Sequence, residues 1–184
     1  ACNAPAIAAD YLDSTPQNLK DRGFHNHGDL YIDAAEVTNL VTSVDAAGGI
    51  TVIHAIGDLA LSEALQGLSD AYDTAPFTRN QRIDHNSFTT LLTQQELSIY
   101  SRIGMTPVLF AQPFFNGCDS DYQGIWQSIL PTEYYQGSEH SKALREANPD
   151  MPVSWHGDNP SLPGNPFHAM FTLATAGDIN LETG

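Results

Sequence analysis

The stretch GGITVIHAIGDLALSEAL, Gly48 to Leu65, decides how the chain is read. Two glycines stop whatever precedes them. ITVIH is then short, β-branched and apolar, which suits a strand buried on both faces. The strand ends on His54, turns through Ala-Ile-Gly, and runs from Asp58 as a cap into an apolar stripe of Leu61, Ala64, Leu65, Leu68 and Tyr72 at helical spacing. A strand that feeds a helix through a polar turn is one βα unit.

The same unit recurs on both sides. Upstream, Asp33 and Glu36 have capping-box spacing and open a helix whose apolar face carries Val37, Leu40, Val41 and Val44. Downstream, QRIDH is a short strand ending on His85. Thr93 with Glu96 then opens a second boxed helix, closed by Gly104. MTPVLFAQP is a third strand, ending near Gln112. A Gly-, Pro- and Tyr-rich loop from Phe114 to Gly137 leads to a helix from about Ser138 to Glu146. PVSWHGD is a fourth strand, with Asp158 at its end, and NPFHAMFTLATA a last helix. Strands alternating with helices imply an α/β fold with a parallel sheet.

In folds of this kind chemistry gathers at the carboxyl ends of the strands. Here those ends are His54, His85, Gln112 and Asp158. A lone strand-terminal histidine is most often a hydrogen-bonded structural residue. A pair 31 residues apart, one βα unit, admits a second reading: two imidazoles on adjacent strands at one rim, suited to zinc or a similar divalent ion. Asp158 either joins them, binding metal and moving protons, or caps the turn before Pro160. Asp84 precedes His85 and by alternation faces the opposite side, towards a helix. His25, His27, His140 and His168 lie in loop or helix contexts and read as structural.

Composition narrows the partners. Seven Lys and Arg face 22 Asp and Glu, a formal charge of −15, so a polyanion would be repelled and nucleic-acid binding is disfavoured. No apolar run reaches the roughly 18 residues of a membrane span. Cys2 and Cys118 form no CxxC and leave the redox compartment open. The motifs of dinucleotide, P-loop, serine-hydrolase and HExxH zinc chemistry are missing from the sequence.

TVIHAIGDLALSEAL, RIDHNSF and PVSWHGDNP together resemble the amidohydrolase superfamily, in its YtcJ-like and AepA-like branch, over roughly Gly28 to Ala176. The resemblance implies strands 5 to 8 of a metal-dependent hydrolase (β/α)8 TIM barrel. It also implies hydrolysis of amide and related C–N bonds in small molecules. His54 and His85 would be metal ligands, and Asp158 the strand-8 aspartate that serves as both ligand and catalytic proton carrier. Leu59 and Gly157 depart from the residues usual beside the first and third motifs. The strand-1 HxH pair of that family is not in the chain, and His25-Asn26-His27 falls in the loop before the first helix instead.

The expectation is therefore a partial barrel, residues 28–184, preceded by an irregular segment, residues 1–27. Its cofactor would be a divalent metal, most simply zinc. With open sheet edges it would form a homo-oligomer or pair with a complementing half-barrel. A non-catalytic binding module built on a truncated barrel is the competing expectation.

Overall fold

A computed structural model describes residues 4–110, 128–137 and 141–156. After a short helical turn, α1 (Gln17–Lys20), the elements are α2 (Ala34–Ala46), β1 (Val52–Ala55), α3 (Asp58–Thr74), β2 (Arg82–His85) and α4 (Gln94–Arg102). They continue as β3 (Val108–Phe110), α5 (Thr132–Gly137), α6 (Ser141–Ala147) and β4 (Ser154–His156). The four strands form one parallel sheet in the order β1-β2-β3-β4.

That order settles the architecture. Parallel crossovers are right-handed, so strands laid down in simple succession send every connecting helix to the same side. A doubly wound sheet needs a reversal of strand order to place helices on both faces. None occurs among the described strands. The helices accordingly build a single core on one side. Ile53, Ala55, Ile83 and Leu109 from the sheet meet Val37, Val41, Leu61, Leu65 and Leu68 from α2 and α3, with Leu97 and Tyr100 from α4. The fold is a partial βα barrel.

The other side of β1 is bare. Its burial alternates exposed, buried, exposed, buried, with Val52 55 % exposed. The expectation of a strand covered on both faces is corrected: an apolar sequence showed that each face seeks cover, not that these residues supply it. Leu40 on α2 is likewise half exposed. With Leu30, Tyr31, Ile32, Val52 and His54 it lines a groove of ≈ 360 Å³ beside β1.

Both capping boxes form as their spacing predicts. Asp33 accepts from the Glu36 N–H at 2.9 Å while Glu36 accepts from the Asp33 N–H at 3.1 Å. Thr93 and Glu96 do the same. Between α2 and α3 the contact is close because Gly67 has no side chain: a Cβ there would stand 2.6 Å from Val37 Cβ and from the Ala34 carbonyl oxygen.

Residues 4–27 are irregular in path but not loose in packing. Ala6 N–H donates to the Ile56 carbonyl at 3.1 Å, and Leu12 N–H to the Ile129 carbonyl at 2.8 Å. Ile7, Tyr11, Leu19 and Phe24 join Phe88, Ile129, Leu130 and Tyr134 in a second apolar cluster. The segment thus lies across the loops that follow the strands. No helix among the described residues is long and apolar enough to cross a membrane.

Candidate functional site

The carboxyl ends of β1 and β2 bring His54 and His85 together. In register, His54 stands opposite Asp84, and Ala55 opposite His85. Residues paired across a parallel ladder share a face, so His54 and Asp84 point to the bare side while regular alternation would turn His85 to the helix side. The backbone prevents it. His85 has φ +73°, a left-handed conformation uncommon in any residue but glycine, and Asn86 and Phe88 follow at +53° and +69°. The alternation breaks at His85, and its ring stands edge-to-face against that of His54 with centroids 4.3 Å apart and planes at 73°. His85 is buried and His54 exposed.

One of the sequence expectations is met in this arrangement and one is overturned. The histidines meet at one rim. Asp84, expected on the helix side, lies instead on the face of His54. There it takes two of the three guanidinium nitrogens of Arg82: Nη2 donates to its Oδ2 at 2.9 Å, and Nε to its Oδ1. The misreading came from treating His85 as a regular strand residue. The left-handed backbone at that one position puts both histidines and Asp84 on a common side.

Asp158 lies outside the described residues, as do Gln112, His140, His168, Cys2 and Cys118. His25 and His27 sit in the irregular segment, and His27 is within 3.7 Å of Asp10 at the surface. They do not join the pair at the strand ends.

Two imidazoles sharing one zinc at about 2.0–2.1 Å, at right to tetrahedral angles, hold their ring centroids about 4.5–5 Å apart. The His54–His85 separation is a few tenths of an ångström short of that, and from the edge-to-face contact at least one ring has to turn before a nitrogen of each faces one ion. The donor chemistry, two imidazoles, suits zinc or a similar borderline divalent ion. Among the described residues no three His, Cys, Asp or Glu side chains converge, so any third protein ligand would lie outside them.

The turn after His54 is built around Gly57 and Asp58. Gly57 has φ +107°, and a Cβ there would lie 1.9 Å from the Ala6 carbonyl oxygen, so only glycine lets the chain cross at that point. Asp58 begins α3 but does not cap it, which corrects the role expected from spacing. Its Oδ1 accepts from the Ala8 N–H at 3.2 Å and its Oδ2 from the Tyr134 hydroxyl at 3.1 Å; that hydroxyl in turn accepts from the Ala9 N–H at 3.1 Å. The carboxylate therefore ties three separate pieces of chain over the rim. Burial pushes its pKa above the ordinary aspartate value, and the hydrogen bonds from Ala8, Tyr134, Leu59 and its own N–H only partly offset that. Burial, followed by the negative charge of Asp58, raises the Tyr134 phenol in the same way.

One network escaped sequence reasoning altogether. Asn86 is buried, donates its two amide hydrogens to the carbonyls of Ile83 at 2.8 Å and Val108 at 3.0 Å, and accepts from the Tyr100 hydroxyl at 2.7 Å. The only available signal was an asparagine directly after a strand-terminal histidine, since asparagine tolerates the left-handed region better than most residues.

Fold and rim together define a class: an arc of parallel βα units with paired imidazoles at the carboxyl ends of two neighbouring strands. Among solved structures, the chain is similar to an uncharacterized metal-dependent hydrolase from Pyrococcus furiosus, at 21% identity and a TM-score of 0.63 over 91% of this chain and 30% of that one. It is similar as well to an uncharacterized metal-dependent hydrolase from Pyrococcus horikoshii OT3, at 21% identity and a TM-score of 0.61 over 91% of this chain and 29% of that one. The chain thus spans less than a third of the length of either. At this level of identity the likeness is one of fold. No protein-family model and no curated protein matches the chain.

Proposed function

We propose that the chain is part of a metal-dependent hydrolase of the amidohydrolase kind, in its YtcJ-like branch, acting on an amide or other carbon–nitrogen bond of a small molecule. The observation that supports this most is the edge-to-face pair of His54 and His85, 4.3 Å apart at the ends of adjacent parallel strands. In this reading the two imidazoles hold a divalent cation, most simply zinc, and Asp158 completes the three protein ligands of a catalytic site. Such an ion, when bound, polarises the scissile carbonyl and makes hydroxide available at neutral pH. Asp158 accepts the proton given up by the attacking water and returns it to the leaving amine. Arg82 and Asp84, on the same bare face, neutralise one another and keep that approach polar without a net charge.

Closing the site needs further parallel strands against the open edge of β1, from additional polypeptide or a second copy. The two similar structures support this, since the chain matches less than a third of each. The rival reading is a binding module without catalysis, built on the same βα units.

Equilibrium dialysis against zinc, followed by metal analysis, separates the two. The hydrolase reading expects about one zinc per chain, lost in His54→Ala and in His85→Ala. A wild-type chain that takes up no zinc, or histidine variants that keep it, would overturn that reading in favour of the module.

A further inference from the structure

We infer that Asn86, fixed by Tyr100, is the positioning residue that turns His85 onto His54. The inference rests on the reading of these histidines as a pair that works together, but not on which ion they hold.

The argument begins where β2 stops. Its last ladder partners are Asp84 with Val108 and His85 with Leu109. At His85 and Asn86 the main chain enters the left-handed region, at φ +73° and +53°, and leaves the line of the strand. Two successive non-glycine residues in that region are unfavourable and persist only where surrounding contacts over-determine them. Past that point, the Val108 carbonyl on β3 has a second lone pair open to a further donor beside the ladder.

The Asn86 side chain supplies one. Its Nδ2 reaches the Val108 carbonyl at 3.0 Å and, with its second hydrogen, the Ile83 carbonyl of its own strand at 2.8 Å. The amide thus bridges β2 to β3 beside the backbone ladder, with the backbone at Asn86 curled back on itself. The two carbonyls fix which end of the amide is nitrogen, because a reversed amide would set three acceptors against one another. Oδ1 is then left facing Tyr100 on α4, whose hydroxyl donates at 2.7 Å. Tyr100 is wholly buried, so the amide is gripped from the helix layer as well as from both strands.

Every polar atom of the Asn86 side chain is used, and each use favours the curl. His85 is the first residue of the curl, and the curl is what breaks its alternation. The bridge is a second layer behind the imidazole pair, and the orientation of His85 is what it controls.

Nuclear magnetic resonance of the metal-free protein reads this orientation directly. Edge-to-face packing puts ring protons of one histidine in the shielding cone of the other, and His54→Ala identifies the resonances that depend on the pair. The expected result is that Asn86→Gly, which accepts a left-handed backbone without strain but lacks the amide, loses the shielding at His85 while remaining folded. Asn86→Ala should do the same with a larger loss of thermal stability. Tyr100→Phe, which only deletes one hydroxyl from a buried ring, should lose part of the shielding and keeps the test decisive if neither Asn86 variant folds. Zinc titration adds a second readout: weakening by roughly 10-fold or more in Asn86→Gly, in the range for residues that orient a ligand.

A folded Asn86→Gly or Tyr100→Phe protein with wild-type His85 shielding would overturn the inference. Wild-type protein that binds no zinc yet shows the shielding, lost in Asn86→Gly, would sink the hydrolase reading and leave the positioning role standing.

Discussion

Replacing Asp58 by asparagine should leave the protein at least as stable near neutral pH, whereas replacing it by alanine should damage it. The carboxylate accepts from the Ala8 N–H and the Tyr134 O–H in a buried setting. Asp58→Ala orphans both donors, each at about 1–3 kcal/mol, and also removes a buried charge, which offsets part of that cost, so the expected loss is about 2–4 kcal/mol. For a chain of this size that lowers Tm by roughly 5–15 °C. Asp58→Asn keeps an acceptor for one donor, and its amide can donate to the tyrosine oxygen, so the ties survive.

Charge adds a dependence on pH. Burial raises the folded-state pKa of Asp58 above its ordinary value of 3.8. The folded state then binds the proton more tightly than the unfolded state, so this residue's contribution is greatest below pH 3.8 and falls as pH rises through the folded-state pKa. Above that, the ionised group is a burden that asparagine removes. Urea melts of wild type and Asp58→Asn from pH 3.5 to 7 check this, as the difference between the two curves isolates the one carboxyl. Wild type should lose ground to the variant as pH rises. A difference running the other way, or an asparagine variant as unstable as the alanine one, would refute the reasoning.

Two further substitutions test the local geometry. Gly57→Ala meets both a φ of +107° and the Ala6 carbonyl oxygen, so urea denaturation should show a loss of about 2–4 kcal/mol. A loss below ~1 kcal/mol would mean that the crossing segment yields easily. Thr93→Ala removes the oxygen that accepts from the Glu96 N–H and should cost about 1 kcal/mol by the same assay, with Thr93→Ser close to wild type.

Much of the fold was legible because its determinants are local. The capping boxes at Asp33 and Thr93, the glycine stops and the short β-branched runs each state an element within a few residues. Strand ends follow from them, so His54 and His85 could be placed at one rim before any coordinates. What was illegible is set by distance along the chain. Whether Val52 is covered depends on what lies opposite it, and its own sequence is silent about that. Asp58 looks like a helix cap because aspartate often is one, yet its partners are 50 and 76 residues away. Asp84 was put on the wrong face because alternation holds only while φ stays extended, and the curl at His85 depends on Asn86 reaching β3 and on Tyr100 from α4. The third expected ligand, Asp158, falls outside the described residues.

The strap formed by residues 4–12 has a consequence for how the molecule is made. Ala9 is anchored by the hydroxyl of Tyr134, a residue 125 positions further on. A ribosome adding about 5–20 residues each second takes roughly 6–25 s to cover that interval. Throughout it Ile7 and Tyr11 are already synthesised while much of the cluster that will bury them is not, so a segment made well before its partners is also among the last to find its seat.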